Sequence, residues 1–96
     1  MNLNEVIWKS QYVEKLAVKH FVSTTEVEEI LFKQPFVRFW EKGDVQGDLY
    51  LAYGQTDAGR YLVIFFIYKH YGRALPISAR EMNDAERRYY SGQKKH

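Results

Sequence analysis

The sequence predicts an α+β domain: two N-terminal helices, a four-stranded antiparallel sheet and a C-terminal helix. Three observations predict it. Ser23-Thr24-Thr25-Glu26 has the form of a capping box, ahead of Val27, Ile30 and Leu31 at helical spacing. From Phe36 the pattern becomes extended, and β-branched and aromatic residues fill short runs separated by glycine-containing turns. Asn83-Asp84-Ala85-Glu86 then repeats the capping pattern ahead of a basic segment.

The elements follow in chain order. Val6, Ile7 and Trp8 form a short apolar lead, read either as a strand or as a plug over the core. Ser10 is the expected N-cap of a first helix reaching about His20, with Val13, Leu16 and Ala17 on its buried side. In the second helix Val22 and Val27 stand at the two positions of a hydrophobic staple, and Pro35 ends it by removing a backbone donor. Strands are expected over 37–41, 48–53, 61–68 and 74–79. The third, Tyr61 to Tyr68, is apolar throughout, as a strand covered on both faces must be. Pro76 cannot donate to a ladder, which places the fourth at an edge or at a bulge. Asn83 caps the last helix, and Gly92 is its expected end. Short turns between successive strands imply a meander, with the leading helices burying one face and leaving the other face or its rim for function.

Composition narrows the function classes. A chain of 96 residues is one domain, residues 1–96, and 46% hydrophobic with 27% charged residues is a globular balance that argues against disorder. Its longest apolar run is far short of the roughly 20 residues of a membrane helix, so no membrane role is expected. Met1 is followed by polar Asn2, Asn4 and Glu5, unlike a signal peptide. Cysteine is absent, which fits a cytoplasmic location. His20, His70 and His96 lack metal-ligand spacing, so neither a metal nor a cofactor is expected.

Charge is distributed unevenly. Residues 1–59 hold 6 Lys and Arg against 9 Asp and Glu, whereas residues 60–96 hold 8 against 3. An acidic first part and a basic second part suit a protein that offers one face to nucleic acid and another to a protein, although a solvated basic helix explains the same count.

Several ordered words carry a family resemblance. Trp8 precedes Lys19-His20 and a glutamate-rich helix, Gly59-Arg60 turns into the apolar strand, and Ser78-Ala79-Arg80 is followed by Glu86-Arg87 and Tyr90. In this order the chain resembles BrnT-type toxins of bacterial type II toxin–antitoxin systems, within the wider RelE/ParE-like group. The resemblance implies a RelE-like fold and a metal-independent ribonuclease that inhibits translation. It also implies a cognate ribbon-helix-helix antitoxin, with operator DNA bound only through that antitoxin.

Such enzymes position the ribose 2′-hydroxyl against the adjacent phosphate, which calls for cations around the developing charge and a group to move a proton. By resemblance Arg60, Arg80 and Lys69 are the catalytic cations and His20 the proton carrier, while Lys19, Arg73, Arg87 and Trp8 contact RNA. The chain departs from the family pattern at Lys9, Leu16, Phe21, Leu49 and Leu75, the last two replacing arginines, for which Arg38 and Arg73 are candidate substitutes. A second reading is therefore a catalytically decayed module that binds antitoxin and modulates operon repression. A third, a single-strand binder of RRM type, lacks the required strand–helix–strand order.

Structural roles compete at each position. Trp8 reads first as a core residue, while His20 also reads as a cap on helix carbonyls and Arg80 as a partner for Glu86. Arg87, Arg88, Lys94 and Lys95 also read as a solvated basic face.

Overall fold

A computed structural model describes residues 1–94; Lys95 and His96, part of the basic tail and the third histidine, lie outside the described residues. The chain runs β1 (Glu5–Val6), α1 (Ser10–His20), α2 (Thr24–Phe32), β2 (Phe36–Glu41), β3 (Leu49–Gln55), β4 (Tyr61–Lys69), β5 (Arg73–Glu81) and α3 (Asp84–Lys94). The expected α+β layout holds, with one correction. The sheet has five strands in the order β1-β5-β4-β3-β2 and is mixed, because β1 joins β5 in parallel while β2 to β5 form the antiparallel meander. Both readings of the N-terminal lead hold in part: Val6 lies in a strand with Glu5, and Val6 and Trp8 pack against the core. The strand spans two residues, flanked by the Asn4 amide on the Gly72 carbonyl (2.7 Å) and the Ile7 amide on the Ala74 carbonyl (2.8 Å).

The sheet buries apolar side chains on both faces. On one, Leu16 of α1 and Val27, Ile30 and Leu31 of α2 meet Ala52, Leu62, Ile64, Phe66 and Ala79, with Trp8 packed at the margin. Gly54 permits this closeness: a Cβ there would stand 2.7 Å from Ile30 Cγ2. On the other face Leu51, Tyr53 and Val63 lie with Met82, just after β5, and Tyr90 of α3. Burial on both sides explains the apolar run of β4, since a strand without a solvent face has no polar alternation.

The Ser23–Glu26 capping box is present in both directions, and the staple residues Val22 and Val27 are buried. Ser10 is not the cap of α1. Lys9 occupies that position without a side-chain bond, Ser10 is already helical, and Leu16 is the helix's buried residue, with Ala17 exposed. Gly92 does not end α3, which continues to Lys94. Pro76 satisfies both expectations at once. The β4–β5 register slips beside it, pairing Phe65 with Ser78 and Phe66 with Pro76, and β1 reaches only Arg73 and Ala74, so β5 is an edge from there on. Among the described residues no helix is long and apolar enough to cross a membrane.

Candidate functional site

The junction of β5 with α3 organises the second sheet face. Asn83 Oδ1 accepts from the Glu86 amide at 2.8 Å, and Glu86 Oε1 accepts from the Asn83 amide at 2.9 Å. This reciprocal cap fixes the Glu86 carboxylate over the helix start, where it meets Arg80 at the end of β5. Arg80 donates from Nη1 to Oε1 at 2.7 Å and from Nη2 to Oε2 at 2.8 Å. The pair shifts both groups. The Arg80 guanidinium holds the Glu86 carboxyl below the usual range against the opposing effect of burial, with help from the Asn83 amide. Glu86 in turn raises the already high pKa of Arg80.

Strand register shows what surrounds Arg80. Arg80, Val63, Tyr53 and Phe36 form one row across the sheet, and Ser78, Phe65, Leu51 and Arg38 form the next. Helix α3 lies over the first row, where Tyr89 packs on Phe36 and Tyr53 at centroid distances of 5.6 and 5.3 Å. The second row is half open. Arg80 leans into it with Cζ 5.5 Å from the Phe65 ring, and Arg38 enters from β2 with Cζ 4.9 Å from Tyr89 and 6.0 Å from Trp40. An aromatic floor is thus flanked by two guanidiniums, whose strands lie three strand-widths apart, ~14 Å across the sheet. Glu86 and the Glu81 carbonyl (3.3 Å) engage part of the Arg80 fork and, among the described residues, leave its Nε–H and one Nη2–H unclaimed.

The residues nominated from the sequence do not converge. Strand β4 separates Arg60 from Lys69 by nine residues, ~30 Å at strand rise, so the two cannot share a phosphate. Arg60 binds the end of α1 and the start of α2: Nη1 donates to the Phe21 carbonyl (2.7 Å) and to Glu26 (3.1 Å), Nη2 to the His20 carbonyl (3.3 Å), and Nε lies 3.5 Å from Glu81. Burial would raise the Glu26 carboxyl, but the Ser23 amide and Arg60 together hold it below its usual range. Lys19 and His20 end α1, which packs on β5 from the sheet face opposite α3. Trp8 is partly buried and donates from Nε1 to Glu28 at 2.8 Å, a core-margin role. Arg87 is exposed, with Cζ 4.2 Å from the Tyr61 ring, near Arg60. Lys69 and Arg73 are cross-strand neighbours at the far rim. Among the described residues no three His, Asp or Glu side chains are grouped to hold a metal ion.

Two contributors to the open face, Trp40 and Tyr89, are absent from the expectations drawn from sequence. The alternation of Arg38 with Trp40 is a usable signal, because residues two apart on a strand share a face. Tyr89 carries none, since its role depends on how α3 docks.

No protein-family model matches the sequence, and no curated protein matches it. Among solved structures, the ribonuclease toxin BrnT of Brucella abortus superposes with a TM-score of 0.61 and 16% identity, over 83% of this chain and 97% of that one. The chain has a BrnT-like fold. The shared fold includes nearly all of the Brucella protein.

Proposed function

We propose that this chain is the toxin of a type II toxin–antitoxin system, a metal-independent endoribonuclease that inhibits translation. Near-complete coverage of a ribonuclease toxin of the same fold is the observation that carries this reading. Arg80 and Arg38 are its cations on the open face. Arg80 binds the scissile phosphate and stabilises the charge that develops as the ribose 2′-oxygen attacks phosphorus, its proton passing to water, and the 5′-oxygen leaves and takes a proton from water, yielding a cyclic phosphate and a 5′-hydroxyl. Arg38 and Trp40 hold the neighbouring nucleotide by charge and stacking, and Arg87 extends the basic surface along α3. A cognate ribbon-helix-helix antitoxin covers this face, and operator DNA is bound only through that antitoxin. The site of action is the cytoplasm.

A second reading has its own support. Arg80 and Arg60 are each already engaged by carboxylates, and a toxin-fold module that only binds antitoxin and modulates operon repression needs no free catalytic cation. One experiment separates the two. Antitoxin-free protein is incubated with RNA in a chelating agent, and the ends are mapped. The nuclease reading expects cyclic-phosphate ends and a loss of about 100-fold or more in Arg80→Ala, with an unchanged circular dichroism spectrum. Intact RNA with no growth arrest on expression, together with tight antitoxin binding, would establish the module instead.

A further inference from the structure

We propose that the rim formed by Lys69, His70 and Arg73 with Tyr50, Tyr68 and Tyr71 is a binding site for a single-stranded polynucleotide, separate from the Arg38–Arg80 face. The site takes its ligand class from the proposed function but requires no cleavage.

The electrostatics of this rim differ from those around Arg60 and Arg80. Lys69 and Arg73 are directly opposed at the end of the β4–β5 hairpin, where like charges repel at Cβ distances of about 5 Å. Among the described residues neither forms an ion pair, in contrast to Arg60 and Arg80. Neutral oxygens aim them instead. Lys69 Nζ donates to the Gln46 carbonyl and to Gln46 Oε1 (3.0 Å), and Arg73 Nε donates to the His70 carbonyl (3.0 Å). Two carboxylates are near and neither neutralises them: Asp48 Oδ1 accepts from the Gly43 amide at 3.1 Å, and Glu5, paired with Arg73 in the β1–β5 ladder, is not within ion-pair distance. A repulsive pair fixed by carbonyls gains most from an anion placed between its members.

Shape and aromatic surface identify that anion. Lys69, His70 and Arg73 line a cavity of about 400 Å³ with Tyr50, Tyr68 and the Val45–Asp48 turn, within the range of small-ligand sites. The Tyr50 and Tyr68 rings meet edge to face at 6.2 Å. Just outside, Tyr71 is 89% exposed beside His70, with ring centroids 6.3 Å apart. The three-residue hairpin loop holds Tyr71 at φ 66° before Gly72 at φ 75°. A tyrosine at a left-handed position is costly, and its ring gains no burial in return. Cations that track a backbone beside rings that accept bases are the general features of single-strand recognition.

The site is tested by fluorescence anisotropy with a labelled 2′-O-methyl oligonucleotide, which cannot be cleaved through its 2′-oxygen. In Lys69→Ala/Arg73→Ala, affinity is expected to fall at least tenfold and the salt slope by about 1.4, at 0.7 for each phosphate no longer neutralised. Tyr71→Ala is expected to weaken binding by roughly tenfold with the salt slope unchanged. Lys9→Ala/Lys15→Ala, which removes two exposed charges from α1 and its cap, is the control and retains wild-type affinity. Melting curves establish that each variant is folded; loss of a repulsive pair leaves Tm unchanged or raised. Wild-type affinity and slope in the rim variant would overturn the site, as would loss of antitoxin binding with RNA affinity intact. Rim-dependent binding without cleavage leaves the site standing and removes the nuclease reading, whereas cleavage with rim-independent binding does the reverse.

Discussion

Arg80 and Glu86 face each other across the β5–α3 junction in a two-pronged ion pair, 2.7 and 2.8 Å, and the same carboxylate closes the cap of α3. One side chain therefore fixes the helix start and masks the cation most suited to phosphate. Replacing Glu86 with Gln retains an oxygen for the Asn83 amide and removes the charge. RNA affinity is expected to rise several-fold in Glu86→Gln, with the salt slope increased by about 0.7, because one more cation is free to neutralise a phosphate. Stability falls by about 1 kcal/mol as the charged hydrogen bonds weaken. Anisotropy titrations and urea melts measure the two effects, and unchanged affinity would place Arg80 outside the RNA path.

Acid stability is the second expectation. Glu86 and Glu26 both have carboxyl pKa values depressed below their ordinary 4.5, the first chiefly by Arg80 and the second by the Ser23 amide and Arg60 against burial. A depressed folded pKa means that the unfolded chain binds protons more readily, so the contribution is complete above the unfolded value and disappears as pH falls through the folded one. Unfolding free energy should be level in these terms above about pH 5 and decline below it. A Glu26→Gln/Glu86→Gln chain is expected to show a shallower decline in melts at pH 3 to 6, and an unaltered acid limb would assign the loss to other groups.

Arg60 separates structural from chemical roles. Its guanidinium binds the Phe21 and His20 carbonyls and two carboxylates, so Arg60→Met leaves the C-terminus of α1 and Glu26 without that donor. A cost of about 1–3 kcal/mol follows for charge-assisted bonds removed from a partly buried setting, or a Tm lower by roughly 5–15 °C for a domain of this size. RNA cleavage per folded molecule, measured well below the new Tm, should stay near wild type. A collapse of cleavage in a fully folded Arg60→Met would return this arginine to the chemistry.

The contrast between Arg60 and Arg80 shows what was legible in the sequence. Period, caps and the proline point to the helices and the four-strand meander, because those signals act within a few residues of each other. Strand β1 was ambiguous because it is two residues long and its partner, Arg73–Ala74, lies 68 positions away in sequence. The candidate site was legible only residue by residue. Arg60, Lys69, Arg73 and Arg80 are alike as cations in the sequence, and their separation follows from strand length: β4 carries its two ends ~30 Å apart. The Arg80–Glu86 pair is legible in the sequence because Glu86 is fixed by a local cap. The Arg60–Glu26 pair is not, since it joins elements 34 positions apart.

Phe21 provides the last test, because its backbone is left-handed. It follows α1 as a left-handed C-cap, φ 52° and ψ 41°, with the Val22 amide reaching back to the Leu16 carbonyl at 3.2 Å. Glycine adopts that conformation without strain, whereas a side chain there costs about 1–2 kcal/mol. The Phe21 ring is 77% exposed, so removing it forfeits little burial. Glycine adds freedom to the unfolded chain, worth about 0.5–1 kcal/mol against it. The net expectation for Phe21→Gly is a gain of about 0.5–1 kcal/mol, from the difference of those two terms. Urea unfolding measures it, with the slope m unchanged. A loss of stability would mean that the exposed ring stabilises the fold, and a loss of antitoxin or RNA binding at unchanged stability would assign the ring to a partner, the one benefit that explains a phenylalanine held in a strained backbone and turned toward solvent.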